Sequence, residues 1–383
     1  MSDSQVIAAN IQELRQRHSS KWRRFAPDVL PMHVAEMDFQ IAEGIRDVIV
    51  DFTNRSDLGY LGPVPEVAES FVAFAAKRWG WAVDAKQIKL ATDVGVAAVE
   101  VFRALGKPGD QVVVNTPVYS AFFGWIAETK LSQVDVPLIQ NGTDWSLDLD
   151  GLEKAFAAGA KFYLLCHPHN PLGKVYSRAE LTAIAALAVK YDVIVISDEI
   201  HGPLTYAGVD FTPYLACGAD AEATGIVITS ASKSWNLAGL KAAILVTQSA
   251  AMATKVSVLP PDMHWRTSIL GAFAMAEAFT NGEQWLDSAL ETIQGNFEFM
   301  KSEVAAKLPG VTVVEAHNSY LAWWDVTSLN LGSEPAKRIH DDARVAVVPG
   351  ADLGACYEHF VRFNYATSRE NISEAISRIA AIA

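Results

Sequence analysis

The stretch Thr229-Ser230-Ala231-Ser232-Lys233-Ser234-Trp235-Asn236-Leu237-Ala238-Gly239-Leu240 decides how this chain is read. It follows an apolar β-branched run, Ile226-Val227-Ile228, and sets one lysine among small hydroxyl residues just before a glycine-bearing turn. A lysine at the mouth of a buried strand loses its proton by desolvation and can then attack a carbonyl, the step that forms a Schiff base. Taken alone, Lys233 reads as an ordinary loop lysine, since loops are where most surface cations sit. The rest of the chain has to decide.

On both sides of this stretch, from Lys89 onward, a βα rhythm runs. Short apolar strands are expected at Ile88 to Ala91, Gln111 to Asn115, Phe162 to Cys166, Val193 to Ser197, Ile226 to Thr229 and Ala243 to Val246. Helical patterns lie between most of them, as at Phe122 to Lys130 and Arg178 to Tyr191. Continuous Val/Ile runs without alternation suit strands covered on both faces in a mostly parallel sheet, whose ligands bind at the carboxyl ends of the strands. A helix is expected over Val64 to Trp79, after the turn-rich Gly59-Tyr60-Leu61-Gly62-Pro63. Past residue 281 the texture becomes α+β: a long helix over Gln284 to Lys307, strands near Val311 to Glu315, Tyr320 to Val326, Val345 to Val348 and Phe360 to Asn364, and a last helix from Arg369. The organisation read from this is an N-terminal segment, 1–45, belonging to a small domain, a large domain over 46–281 and the rest of the small domain over 282–383. At the N-terminus an amphipathic helix ending near His18 is expected, with Lys21 to Arg24 as its solvated basic end.

The chain has 383 residues, half of them hydrophobic, and a net charge of −13. That balance argues against a general binder of nucleic-acid backbones. No apolar run reaches membrane-spanning length and Met1 to Val6 carries no basic lead, so a cytoplasmic protein is expected. Cys166, Cys217 and Cys356 are odd in number and far apart, which suits reduced thiols. His167 and His169 have no third ligand near them, and no metal site is expected.

Almost every expected strand ends in polar residues that one flat, phosphorylated cofactor could use. Gly95 and Val96 stand where a helix begins, so their N–H groups suit a phosphate. Tyr119, just after a strand, can stack on a ring. Asn170, in His167-Pro168-His169-Asn170-Pro171-Leu172-Gly173, can hydrogen-bond a phenolic oxygen. Asp198, in Ser197-Asp198-Glu199-Ile200-His201, can pair with a protonated ring nitrogen and keep the ring electron-withdrawing. Lys241 can reach a phosphate, and Arg362 offers a planar fork to a carboxylate.

Together these residues resemble the fold-type I pyridoxal-phosphate enzymes of the aspartate aminotransferase superfamily, from the Gly59-Tyr60 turn to Arg362 and in the family's order. The resemblance implies the α/β fold of that family, a mostly parallel seven-stranded sheet in the large domain with a smaller α+β domain. It implies that Lys233 links covalently to pyridoxal 5'-phosphate, that Asp198 binds the ring nitrogen, that Asn170 and His201 lie at the phenolic oxygen, and that Tyr119 stacks on the ring. Gly95, Val96, Ser230, Ser232 and Lys241 surround the phosphate, Arg362 with Ala35 and Asn170 binds the substrate, and Tyr60 reaches the partner subunit's site in a homodimer. Within the superfamily, Val34-Ala35-Glu36-Met37-Asp38-Phe39, Asp198-Glu199-Ile200-His201 and the Pro-His-Asn-Pro-Leu-Gly loop look like the cystathionine β-lyase branch of MalY/PatB type. That branch usually has tryptophan at His33, aspartate at Glu36, and Cys-Pro-Arg or Cys-Ser-Arg near Thr367-Ser368-Arg369. These departures flank the substrate region and leave substrate preference open. The branch implies β-elimination from cystathionine or related S-substituted cysteines. Transamination, of aromatic or histidinol-phosphate type, uses every residue just named, and a regulatory protein without turnover is a third reading.

Overall fold

The computed structural model describes residues 6–383, so the first five residues of the N-terminal segment lie outside it. Its centre is a seven-stranded sheet, numbered along the chain β1 (Ile88–Ala91), β2 (Gln111–Val114), β3 (Ser132–Asp135), β4 (Phe162–Cys166), β5 (Ile194–Asp198), β6 (Gly225–Thr229) and β7 (Ala243–Val246). Their spatial order is β1-β7-β6-β5-β4-β2-β3, and β7 alone runs against its neighbours. The central strands are buried along their whole length because both faces are covered. Pleating divides their side chains. Phe162, Leu164 and Cys166 pack on one face with Ala97, Ala98, Val101 and Phe102, while Tyr163 and Leu165 enter the core on the other with Leu181, Ile184 and Ala185. Edge strand β3 reads Ser-Gln-Val-Asp and is largely exposed, so the sequence carries no apolar signal for it and no strand is expected there.

A second, antiparallel sheet of four strands holds β8 (Thr312–Val313), β9 (Leu321–Asp325), β10 (Val348–Pro349) and β11 (Phe360–Asn364), in the order β8-β9-β11-β10. It follows a 25-residue helix, Glu283–Lys307. The strand expected over Val345 to Val348 is split: Val345–Ala346 pairs with Leu30–Pro31, and Val348–Pro349 pairs with β11.

The N-terminal helix is not continuous. Four-residue helices at Ile11–Leu14 and Ser20–Arg23 flank a bend from which Arg17 donates to the carbonyls of Met37, Asp38 and Phe39, each at 3.2 Å. The basic stretch after it is no solvated end either. Lys21 is 1% exposed, pairs with Asp38 at 2.9 Å and donates to the Glu36 carbonyl at 3.2 Å, while the Trp22 indole donates to the same Asp38 carboxylate at 2.8 Å. Hydrophobic periodicity cannot show a buried cation whose partner lies far along the chain on a segment with no period of its own. Lys21→Met leaves that carboxylate buried without its cation, a loss of about 3–5 kcal/mol. Urea unfolding of the variant, with Lys21→Met/Asp38→Asn alongside, should show a large loss partly recovered in the double variant; an unmoved midpoint would show the pair contributes nothing net.

Candidate active site

The sheet topology gathers the polar strand ends on one edge. Gly95, Tyr119, Asn170, His201 and Lys233 follow β1, β2, β4, β5 and β6, whose carboxyl ends share that edge. Because β7 is reversed, Lys241 just before it lies there too, and Ile244 faces Thr229 across the turn. A cavity of about 860 Å³ opens at this edge. Lys233, Asp198, Asn170, His201, Arg362, Tyr119, Ser232, Lys241, Gly95 and Ala35 all line it.

Two buried groups set its electrostatics. Burial lowers the Lys233 amine to about 8, with the Arg362 guanidinium adding to the effect. Its Nζ donates to the Ala35 carbonyl at 3.1 Å. Burial raises the Asp198 carboxyl to about 7, against a backbone N–H from Ile200 at 3.2 Å and the opposing charge of Lys233. That N–H is the sole hydrogen bond the protein gives the Asp198 side chain among the described residues, so the carboxyl is placed to take a cation from a ligand. Neighbouring Glu199, raised to about 8 by burial, is instead used up structurally by Ser197 Oγ at 2.9 Å and Tyr214 N at 2.8 Å. His201 is driven to about 3 by burial and then by Lys233, so it is neutral; its Nδ1 lies 3.1 Å from Ser319 Oγ.

Opposite these stands a segment outside helix and strand, residues 33–38, bent at Val34, Ala35 and Asp38 and with few backbone partners. Side chains satisfy its carbonyls instead. Arg362 donates to His33 at 2.9 Å, Asn364 to Val34 and Glu36 at 2.6 and 2.7 Å, Tyr320 to Ala35 at 3.1 Å, and Asn236 to Met37 at 2.9 Å. Arg362 also donates to Asn170 Oδ1 at 3.2 Å, and its Nε is buried with no partner. A guanidinium whose two terminal nitrogens are each anchored and whose buried Nε is spare is oriented to take a planar anion. Arg362→Lys replaces that fork by a point charge and should raise KM about 10- to 150-fold with a smaller effect on kcat, the ratio that a loss of about 1.5–3 kcal/mol gives. An unchanged KM would move carboxylate binding elsewhere.

At the other end of the cavity the helix Val94–Leu105 begins. Gly95 is required there, since a Cβ would lie 2.8 Å from the Trp125 ring. The Val96 N–H, expected from the sequence to be free, is taken by the N-cap: Asp93 accepts it at 2.8 Å and pairs with Lys241 at 3.1 Å. Ser230 is turned away from the cavity, giving its hydroxyl to the Ala242 carbonyl at 2.6 Å and accepting from Ser232 N at 3.0 Å. Tyr60 is also outside the cavity and 90% exposed. What remains for an anion at this end is Gly95 at the helix start, Ser232 and Lys241. Sequence reasoning missed Asp93, Trp125, Tyr320, Asn236 and Asn364. Asp93 alone carried a local signal, as an N-cap residue three positions before Val96.

Residues 28–379 match the family model of the aminotransferases of class I and II. The chain is 35% identical over 402 residues to a Mycobacterium leprae protein provisionally named a cystathionine beta-lyase, covering 99% of this chain and 98% of the other. It is 32% identical over 374 residues to the cystathionine beta-lyase of Corynebacterium glutamicum, covering 97% and 98%. A Corynebacterium diphtheriae structure, provisionally described as a PLP-dependent beta-cystathionase, superposes with a TM-score of 0.94 at 31% identity, over 98% of each chain.

Proposed function

We propose, from the premise that this chain belongs to the aminotransferase class I and II family, that it is a C–S β-lyase which cleaves cystathionine or related S-substituted L-cysteines to a thiol, pyruvate and ammonia. The observation that carries the choice of reaction is the identity to the Corynebacterium glutamicum cystathionine beta-lyase over nearly the whole of both chains. The cofactor is pyridoxal 5'-phosphate. The residues fit it: a buried carboxyl with no protein cation hydrogen-bonded to it, Asp198, suits the ring nitrogen, and a buried lysine with a lowered pKa, Lys233, suits the aldehyde. Asn170 and His201 suit the phenolic oxygen, Tyr119 the ring face, and Gly95, Ser232 and Lys241 the phosphate.

When bound, the cofactor would supply an electron sink for the pair released at the α-carbon; that pair ends in the Cα–Cβ double bond as the Cβ–S bonding pair leaves with the sulfur. The chain's own residues make this possible. Arg362 grips the α-carboxylate and so fixes which bond on the α-carbon faces Lys233. Lys233, its amine lowered to about 8 by burial, takes the α-proton and can return it to the departing sulfur. Asp198 holds the ring nitrogen's proton, and neutral His201 adds no competing charge. One water consumed per turnover balances thiol, pyruvate and ammonium.

The test is to supply L-cystathionine to the pyridoxal-phosphate-loaded protein without any keto acid. Equal release of pyruvate and free thiol over many turnovers is expected. Turnover that appears only with a keto acid would make the chain an aminotransferase.

The exposed Tyr60 supports a homodimer in which it reaches the partner's site. Tyr60→Phe weakening cofactor retention in a particle of two chains is the expected sign, and full retention would detach Tyr60 from the site. Free thiols at Cys166, Cys217 and Cys356 support a reducing, cytoplasmic setting.

A further inference from the structure

One wall of the cavity takes no part in the steps above. It is formed by Arg24, Phe25, His33, Lys337 and His340. His33 is only 5% exposed, yet neither of its ring nitrogens has a hydrogen-bond partner. Leaving a buried imidazole unpaired costs free energy that a bound polar group would recover. The ring is held by packing alone, edge-on to Phe25 with centroids 4.9 Å apart, and Phe25 lies 4.8 Å from His340.

The charged groups that act on it most are of one sign. Lys21, Arg24, Arg362 and His340 each oppose its protonation, and with burial they bring it to about 3. His33 is therefore neutral and presents one N–H donor and one acceptor. Of the wall's basic side chains, Lys337 and His340 are both engaged by Asp341, each at 2.8 Å. Arg24 is different: its guanidinium lies over the Phe25 ring at 5.6 Å and it has no carboxylate partner among the described residues. The wall adjoins the catalytic groups through the backbone, since the His33 carbonyl is the one Arg362 grips.

We propose that Arg24 and the His33 ring form a subsite for an anionic group beyond the substrate's sulfur, so that the protein selects thioethers whose leaving thiol carries its own carboxylate. This rests on the C–S lyase reading and names its substrate class. Of the carboxylates lining the cavity, Asp93 is paired with Lys241 and Asp198 belongs to the ring nitrogen, which leaves Asp352 as the one that could oppose an anion here.

Three probes that differ in their terminal charge decide the matter: S-(2-carboxyethyl)-, S-propyl- and S-(2-aminoethyl)-L-cysteine. Their dissociation constants from the holoenzyme are read by the absorbance change on mixing, before any C–S bond breaks. The carboxyethyl compound should bind at least about tenfold tighter than the propyl one, and added salt should shrink that ratio. Arg24→Met and His33→Phe should each lower the ratio at least about fivefold, since each removes one of the two groups facing the anion. Equal binding of the carboxyethyl and propyl compounds, a ratio unmoved by both variants, or tightest binding of the aminoethyl compound through Asp352 would each overturn the subsite. A protein that transaminates still yields these constants, so failure of the lyase reading appears separately, as missing pyruvate and thiol.

Discussion

Lys233→Ala should reduce turnover by at least about four powers of ten and remove the visible absorption of the covalently linked cofactor. Positioned proton transfer alone is commonly worth about 10²–10⁴-fold, and on the proposed reading this side chain also makes the covalent link. The geometry leaves no understudy. Lys241 lines the same cavity but is paired with Asp93 at 3.1 Å, and Arg362 does not give up a proton. The lost amine leaves the Ala35 carbonyl still bonded to Tyr320 at 3.1 Å, so the 33–38 segment keeps a donor and the variant should fold. Primary amines added to the solution should then restore part of the turnover, more so as pH rises and more of the added amine is unprotonated. Retention of both absorption and turnover in the variant would remove Lys233 from the centre of the reaction.

What the sequence reveals and what it hides divide along a physical line. Strands β4 to β7 are legible because a strand covered on both faces must be apolar throughout, and the Val/Ile runs allow little else. Their ends are legible because polar residues following such a run stand at the edge where ligands bind. Arg362 and Asp198 are read this way, and the structure lines one cavity with both. Long-range polar pairing is hidden. Lys21 reads as solvated because its partner Asp38 lies on a segment without a period, and Val96 reads as a free donor although Asp93 caps it. Four of the staples on 33–38 come from the distant residues 236, 320, 362 and 364, and no local pattern predicts which distant amide or hydroxyl will meet a given carbonyl. Edge strand β3 is hidden for the opposite reason: solvent on one side removes the apolar constraint that makes its neighbours visible.

Asp198→Asn should move activity and stability in opposite directions. With the cofactor bound, an amide cannot hold the ring nitrogen's proton, and α-proton loss should slow by roughly three powers of ten, about 4 kcal/mol of barrier. The apoprotein should gain stability. In the fold the Asp198 carboxyl is raised to about 7 from its ordinary 3.8, chiefly by burial. Between those two values the folded chain holds a proton that the unfolded chain has released, so this group makes stability fall as pH rises from near 4 to near 7 and adds nothing further above that. Asparagine has no proton to lose and can still accept the Ile200 N–H on its amide oxygen. The gain should therefore be absent near pH 4, grow through the interval and level off above pH 7 at a few kcal/mol, since each tenfold change in proton affinity is worth about 1.4 kcal/mol. Urea unfolding of wild-type and variant apoprotein at pH 4.5, 6 and 8 reads it directly. Glu199, raised to about 8 chiefly by burial, supplies a slope present in both proteins, and only the smaller part that the Asp198 charge adds to it stays in the difference. A difference that does not grow with pH would mean that Asp198 is not the buried acid the fold tolerates for its chemistry, and near-normal proton loss in the variant would mean that another carboxylate serves the ring.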